Sequence, residues 1–187
     1  MNTNFTYEDK EIANFHIPRW NELPTIDLYL DQLVSLLDQY LSNYIITDSE
    51  NKKEKDKEKD KEKDGDGKII TKTMINNYVK HKIINPPINK KYNREHIAYL
   101  FVVCVLKQVY SINDIAKLID LAINGTSVEK AYNRFCNELE MAINVTFAGE
   151  EYPRKKLISK DIYILKNVVQ SFADKLYVKR VYLNKKF

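Results

Sequence analysis

The amino-acid sequence predicts an all-α protein, and three observations support this class. Apolar residues recur at spacings of three and four over most of the chain, as they do on one face of an α-helix. Ser, Thr or Asn residues that can cap a helix stand directly before these periodic segments. The run IAYLFVVCVL, residues 97–106, is apolar on every side and has charged flanks, which favours a central buried helix over a strand.

The N-terminal part of the chain, residues 1–24, is predicted to be an extended arm. Pro18 and Pro24 impose extended backbone, and Trp20 can pack the arm onto the rest of the molecule. With 187 residues, of which 44% are hydrophobic, the chain can bury one sizeable core. We therefore expect one compact domain with appendages.

Residues 25–46 are predicted to contain the first helix of the domain. Thr25 can cap it, and apolar side chains follow at helical spacing as far as Tyr44. Residues 47–68 form a charged insertion, in which the stretch 51–68 has no apolar residue and cannot offset the entropy of ordering itself. We expect this insertion to be a disordered linker, with a tethered interaction tail as the alternative.

Residues 69–125 contain the segment that carries the functional prediction. A short helix is expected to reach about His81, and Pro86 and Pro87 prevent its continuation. Residues 85–92 then form a rigid basic loop of the size of a small wing. The caps predicted for the three helices of this region are Thr71, Asn93 and Ser111.

The C-terminal region, residues 126–187, is predicted to contain two longer helices. Thr126 to Glu129 have the pattern of a capping box, and Gly149 and Pro153 end the helix that follows it. Ser159 can cap the last helix, whose apolar residues alternate at spacings of three and four. This apolar seam can serve as an internal packing face or as a homodimer interface through residues 159–180. It consists of Ile162, Leu165, Val169, Phe172 and Leu176.

The sequence offers little catalytic apparatus. None of the four glycines stands in a phosphate-binding pattern, and the three histidines have no Cys or carboxylate at the short offsets of metal sites. Cys104 and Cys136 lie in apolar helical patterns, which is typical of buried thiols and of a reducing compartment. We therefore expect no enzyme, catalytic residue, cofactor or metal, and a cytoplasmic protein without a signal peptide or membrane segment.

Positive charge is concentrated in the middle of the chain. Residues 69–96 carry six Lys and Arg side chains and a single acid, Glu95, so an anionic partner is expected to bind there. Helical spacing places lysines, amides and a threonine on one face of the helix 72–81, where amides can read adenine edges and lysines can neutralise phosphates. The residues predicted to bind DNA are Thr71, Lys72, Thr73, Asn76, Asn77, Lys80, Lys90, Lys91 and Arg94.

The order of ITKTMINNYVKHKIINPP, KKYNREHIAYL and LKQVYSINDIAKLI over residues 69–120 resembles the winged helix-turn-helix of MerR-type transcription regulators. In this resemblance, residues 71–80 match the recognition helix, Ile83 and Ile84 the aliphatic pair that closes it, and Lys90 and Tyr92 the wing positions. The resemblance implies a MerR-like winged helix-turn-helix core with additional C-terminal helices. The chain departs from the family at its recognition helix, with Asn76 and Asn77 in place of Arg and Tyr, and at Lys82, where the family has glycine.

Over a longer span, from the segment IPRW at residues 17–20 onward, the chain resembles the YkrK-like family of uncharacterised proteins from Gram-positive bacteria. Both resemblances imply a sequence-specific DNA-binding regulator of transcription, and repression is the mode that we favour. The alternative is a helical protein-protein interaction module without nucleic-acid binding, because a fold does not dictate a function.

Overall fold

The computed structural model describes residue 12 and the ranges 15–45, 69–153 and 159–183. Within them the chain is mostly helical, with six α-helices and one two-stranded sheet, and this confirms the predicted helical class. The charged stretch 51–68 lies outside the described residues. The elements, in chain order, are a 3₁₀ turn at Trp20–Glu22, β1 Leu28–Tyr29, α1 Leu30–Leu41, α2 Lys72–Lys80, β2 Lys91–Tyr92, α3 Arg94–Leu106, α4 Ile112–Ile123, α5 Val128–Ala148, α6 Lys160–Val178 and a π-helical turn at Lys179–Leu183.

Helix α3 forms the centre of the core, as its apolar run predicted. Nine of its residues, from His96 to Leu106, are buried, and they lie on all sides of the helix. The helix packs against α1 on one side and against α5 and α6 on the other. Its burial therefore joins the N-terminal and C-terminal parts of the chain in one hydrophobic core.

The first helix is shorter than predicted. It begins at Leu30, five residues after the proposed cap Thr25, and ends at Leu41. The preceding residues are extended because β1 pairs antiparallel with β2, with Leu28 opposite Tyr92 and Tyr29 opposite Lys91. The prediction of a helix from Thr25 was wrong because this pairing joins residues more than sixty positions apart, which local helical periodicity does not report.

The N-terminal arm packs on α5, as the prolines and the tryptophan predicted. The backbone N–H of Ile17 donates to Glu140 Oε1 at 3.0 Å, and Tyr132 donates its hydroxyl to the carbonyl of Pro18 at 2.8 Å. The backbone N–H of Trp20 donates to Asn133 Oδ1 at 2.8 Å. Polar side chains of α5 thus satisfy the backbone of the arm, which has no strand partner at these positions.

Local capping starts the remaining helices. The hydroxyls of Ser111 and Ser159 accept hydrogen bonds from backbone N–H groups of their first turns, as predicted. For α5 the cap is Ser127, one residue after the predicted Thr126, and its hydroxyl accepts from the N–H of Lys130. Gly149 ends α5 in the left-handed conformation, with φ of 71°.

Part of the apolar seam of α6 is an internal packing face. Val169, Phe172 and Leu176 are buried, and α6 makes its most extensive contacts with α5. Aromatic rings join the two helices, since Phe147 and Tyr177 lie edge to face with centroids 5.2 Å apart. Of the two alternatives left open by the seam, the structure shows internal packing for these three residues.

None of the helices in the described ranges is both long enough and apolar enough to cross a bilayer.

Candidate nucleic-acid interface

Helix α2 has the two faces that its sequence predicts. Thr71 caps the helix by accepting a hydrogen bond from the N–H of Met74 at 3.2 Å. Ile75 and Tyr78 are buried beneath the helix, and this burial raises the pKa of the Tyr78 phenol. The buried side chains orient α2 so that its polar face points to solvent. The exposed polar residues are Lys72, Thr73, Asn76, Asn77 and Lys80.

The charge at the start of α2 distinguishes it from the other α-helices of the described ranges. Each of the other five has an acidic residue in its first turn, whereas α2 has none. Its first residue is instead Lys72, a cation at the positive end of the helix dipole. This position is unfavourable for the isolated helix and favourable for binding an anion.

The end of α2 is closed by a turn that returns the chain to the core. The N–H of Ile83 donates to the carbonyl of Tyr78 at 3.0 Å, and Ile83 and Ile84 are buried. Lys82, between the helix and this aliphatic pair, is in the left-handed conformation with φ of 57°. Glycine adopts that conformation more readily than lysine does.

The basic loop 85–92 contains a tight hairpin. Ile88 and Lys91 exchange two backbone hydrogen bonds of 3.1 and 2.9 Å around the exposed tip residues Asn89 and Lys90. Both tip residues have positive φ, 51° and 63°, as a two-residue type I′ turn requires. The tip therefore presents one amide and one ammonium group to solvent.

Two of the predicted DNA-binding cations are held by aromatic rings of the N-terminal segment. The Nζ atom of Lys91 lies 5.1 Å from the centre of the Tyr29 ring. The guanidinium of Arg94 lies 5.7 Å from the Trp20 ring, and its Nε donates to the carbonyl of Pro24 at 3.3 Å. These contacts fasten the hairpin to β1 and the start of α3 to the arm, and both side chains remain half-buried. The sequence did not predict that Lys91 and Arg94 would pack on aromatic rings.

The base of the hairpin is joined to α3 by a histidine. His96 is buried, although its sequence position suggested a place in the basic surface. Its Nε2 lies 3.1 Å from the carbonyl oxygen of Asn85, and its Nδ1 lies 2.6 Å from the side-chain oxygen of Asn93. The ring of Tyr92, predicted as the aromatic wing position, is also buried and packs edge to face on His96. Both rings support the hairpin from below.

The start of α2 is anchored from both flanking helices. The N–H of Ile69 donates to Asp38 on α1, and the carbonyl of Ile69 accepts a hydrogen bond from the ammonium of Lys107, just after α3. Burial lowers the pKa of Lys107. Ile69, which follows the charged insertion, is thus bonded both to α1, which precedes the insertion, and to the end of α3.

The described ranges contain no candidate metal centre. No group of three or more His, Cys, Asp or Glu side chains is placed there so that it could hold a metal ion. Cys104 and Cys136 are buried and unpaired, and burial raises the pKa of each thiol to about 12. Neither thiol has the lowered pKa of a catalytic nucleophile.

The fold and this surface define a small helical protein that presents an acid-free, basic helix beside a short hairpin. The chain matches the family described as Domain of unknown function (DUF1836) over residues 18–135, and it belongs to that family. The matched region begins in the arm and ends within α5, so it contains α2, the hairpin and α3. No curated protein matches the chain. No solved structure matches it either.

Proposed function

We propose that the chain is a sequence-specific DNA-binding regulator of transcription, in which α2 enters the major groove and the hairpin contacts the backbone. The observation that carries the proposal is the exposed face of α2. It presents two lysines, a threonine and two amides, and no acid occurs between residues 69 and 94. The cation at the helix start, Lys72, adds to this argument because it opposes the helix dipole.

The side chains of α2 are suited to two kinds of contact, with bases and with phosphates. Asn76 and Asn77 can each bond an adenine edge with both amide atoms, and Thr73 can contact a base or a thymine methyl group. Lys72 and Lys80, at opposite ends of the helix, can bind phosphates on the two sides of the groove. Base contacts thus supply the sequence preference, and the lysines supply most of the affinity.

The hairpin continues the cationic surface beyond α2. Lys90 is free to contact a phosphate, and Asn89 beside it can donate to a phosphate or sugar oxygen. Lys91 and Arg94, held by aromatic rings, contribute to the local field and keep the hairpin in place. The order α1, α2, hairpin and α3 supports the interpretation as a winged helix-turn-helix, in which residues 42–71 separate the first two helices.

We further propose that the regulator is a cytoplasmic repressor that binds as a dimer. A two-fold symmetric protein reads two half-sites of a palindrome. The outer face of α6, which carries exposed Tyr163 and Val178, is the surface within residues 159–180 that stays accessible.

The proposal is tested by selection from a random-sequence duplex pool with the purified full chain over a salt series, followed by sequencing of the retained duplexes. Enrichment of a short palindrome with a steep salt dependence is expected. Lys80→Ala should lower the affinity for all duplexes and reduce the slope of log K against log salt by about 1. Asn76→Ala should change the enriched sequence at one position of each half-site.

Lys130→Gln is the matched control for loss of charge. Lys130 is exposed on α5, outside the proposed surface, so this substitution should leave the salt slope unchanged. Absence of any retained duplex at low salt contradicts DNA binding. Equal effects of Lys80→Ala and Lys130→Gln contradict the placement of α2 at the DNA.

A protein-protein interaction module is the second candidate, and an apolar patch beside the hairpin favours it. Tyr29 and Ile88 both stand opposite Lys91, so their side chains share one face of the small sheet, and they are 52% and 65% exposed. Ile26 nearby is 69% exposed. If the pool experiment retains no DNA, this patch is the surface to test for a protein partner.

A further inference from the structure

A cavity of about 340 Å³ lies between α3, α4, α5 and the first turns of α6. Its walls are mainly aliphatic and aromatic, and no residue of α2 or of the hairpin lines it. Among the lining residues are Tyr99, Val102, Leu118, Phe135, Ile162 and Leu165. Cavities of a few hundred Å³ with such walls are typical of small-molecule binding sites.

The cavity exists because two apolar stripes are only partly covered. On α4, Ile115 and Ile119 are buried, whereas Leu118 of the same stripe is half-buried. On α6, Ile162 and Leu165 are half-buried, in contrast to the buried residues further along the same seam. The uncovered parts of both stripes line this space, whose concave walls suit a small molecule better than the convex face of a partner protein.

The rim of the cavity carries a cation that has no ion-pair partner among the described residues. Arg134, on α5, lines the cavity and is exposed, and it forms no ion pair with any other described residue. Asp161, on the α6 side, lies in the first turn of its helix, where the helix dipole stabilises its negative charge. Arg134 is the seventh of the 21 residues of α5, far from the C-terminal end at which a helix dipole stabilises a cation.

We propose that this cavity binds an amphipathic carboxylate, with the apolar body among the helices and the carboxylate at Arg134. The planar guanidinium matches a carboxylate in a two-pronged geometry, which an alcohol or an amine does not reproduce. The apolar walls favour an alkyl or aryl body over a sugar or nucleotide, because polar groups would be buried without partners. The assignment does not depend on DNA binding.

The test is isothermal titration calorimetry of the full chain with three ten-carbon probes, the two charged ones below their critical micelle concentrations and the alcohol below its solubility limit. Decanoate is expected to bind with one molecule per chain, and 1-decanol, which lacks the charge, about tenfold more weakly. Decylamine should bind more weakly still. If none of the three binds, the proposal is overturned.

Two pairs of variants locate the site. Ala131 lines the cavity, so Ala131→Trp should fill it and abolish binding of all three probes, whereas Asn137→Trp, at an exposed position of the same helix, should not. Arg134→Gln should remove the preference for decanoate over 1-decanol and leave decanol binding unchanged, whereas Lys130→Gln should preserve the preference. Circular dichroism verifies that each variant is folded.

The outcomes separate the two parts of the proposal. Binding that persists in folded Ala131→Trp places the ligand elsewhere and overturns the site. Binding that is lost in Ala131→Trp with an unchanged decanoate preference in Arg134→Gln overturns the role of Arg134 and the carboxylate assignment.

Discussion

Arg19, in the N-terminal arm, donates hydrogen bonds from both terminal guanidinium nitrogens to the two carboxylate oxygens of Glu140 on α5. The two residues are 121 positions apart, and less than a quarter of either side chain is exposed. The hydrogen bonds that Arg19 donates to Glu140 raise the pKa of Arg19. Glu140 also accepts from the backbone N–H of Ile17 and lies 3.0 Å from Nδ1 of His16. This carboxylate is therefore the main polar anchor of the arm.

Glu140→Gln should lower the free energy of unfolding by about 1.5–3 kcal/mol, because the hydrogen bonds of the arm lose their charged acceptor. The measurement is urea denaturation, with a lower midpoint at an unchanged slope. Lys117→Ala is the control, since its ion pair with Asp114 is exposed and 4.0 Å long. That variant should change stability by less than about 0.5 kcal/mol. Equal effects of both substitutions contradict the anchoring role.

Lys90→Gly should separate stability from DNA binding at the hairpin. Lys90 has φ of 63°, which glycine adopts without strain, so the variant should be more stable by up to about 1 kcal/mol. It also lacks the ammonium group, so the DNA salt slope should fall by about 1. Thermal unfolding and fluorescence anisotropy with a selected duplex measure the two effects. A more stable variant with unchanged DNA affinity contradicts the contact of the hairpin with the backbone.

Lys72→Glu should stabilise the protein and weaken DNA binding. A carboxylate in the first turn of α2 interacts favourably with the helix dipole, by about 0.3–1 kcal/mol. The same charge repels phosphates, so the loss of affinity should exceed that of the neutral variant Lys72→Gln. Denaturant unfolding and anisotropy titrations give both quantities. If Lys72→Glu binds DNA as tightly as the wild type, the start of α2 does not face the phosphates.

Substitutions on the two faces of α6 should distinguish folding from assembly. Phe172 is buried against the interior, so Phe172→Asp should destabilise the chain by about 3–5 kcal/mol or more. Tyr163 is 47% exposed, and Tyr163→Asp should leave the stability within about 0.5 kcal/mol. Sedimentation velocity then tests the proposed dimer. A dimeric wild type that becomes monomeric in Tyr163→Asp supports the outer face of α6, whereas a monomeric wild type refutes the dimer.

Alkaline pH should destabilise the fold through its two buried thiols. Burial raises the pKa of Cys104 and Cys136 from 9.0 to about 12, so the folded chain retains protons that the unfolded chain releases. Their contribution to stability is complete below pH 9 and declines as the pH rises toward 12. Urea midpoints measured across this range should fall, and less steeply in Cys104→Ala than in the wild type after correction for the cavity that the substitution leaves. A flat profile contradicts the burial of the thiols.

The sequence predicted features that depend on neighbouring residues correctly, and it missed features that depend on residues far apart in the chain. The caps Thr71, Ser111 and Ser159 bond to backbone groups three residues away, and the helices that they start begin as predicted. The polar face of α2 was also predicted, because helical geometry alone separates Asn76 and Lys80 from the buried side. The start of α1 was predicted wrongly, because the residues before Leu30 form a strand that pairs with the distant residues Lys91 and Tyr92.

The same limit applies to the candidate site. The sequence placed Lys91, Arg94 and His96 in one basic region, but it did not report that two of them stack on aromatic rings and that the third is buried. Whether a basic side chain is exposed or packed on a ring depends on its neighbours in space. Tyr29 and Trp20 are distant from Lys91 and Arg94 in sequence, and only the fold brings them into contact. The signal that could have suggested such partners is Trp20 in the proline-containing arm, with Tyr29 a few residues after it.

By itself, the sequence determined the helical class, the central buried helix and the acid-free polar face of α2, because each depends on residues within one or two helical turns of each other. Only the tertiary structure decided that Phe172 packs inward, that the arm is anchored at Glu140 and that uncovered apolar stripes leave a cavity beside Arg134. These features depend on which helices meet and how completely they fill the space between them. The packing of distant segments decides both, and the periodicity of apolar residues along one segment does not predict it.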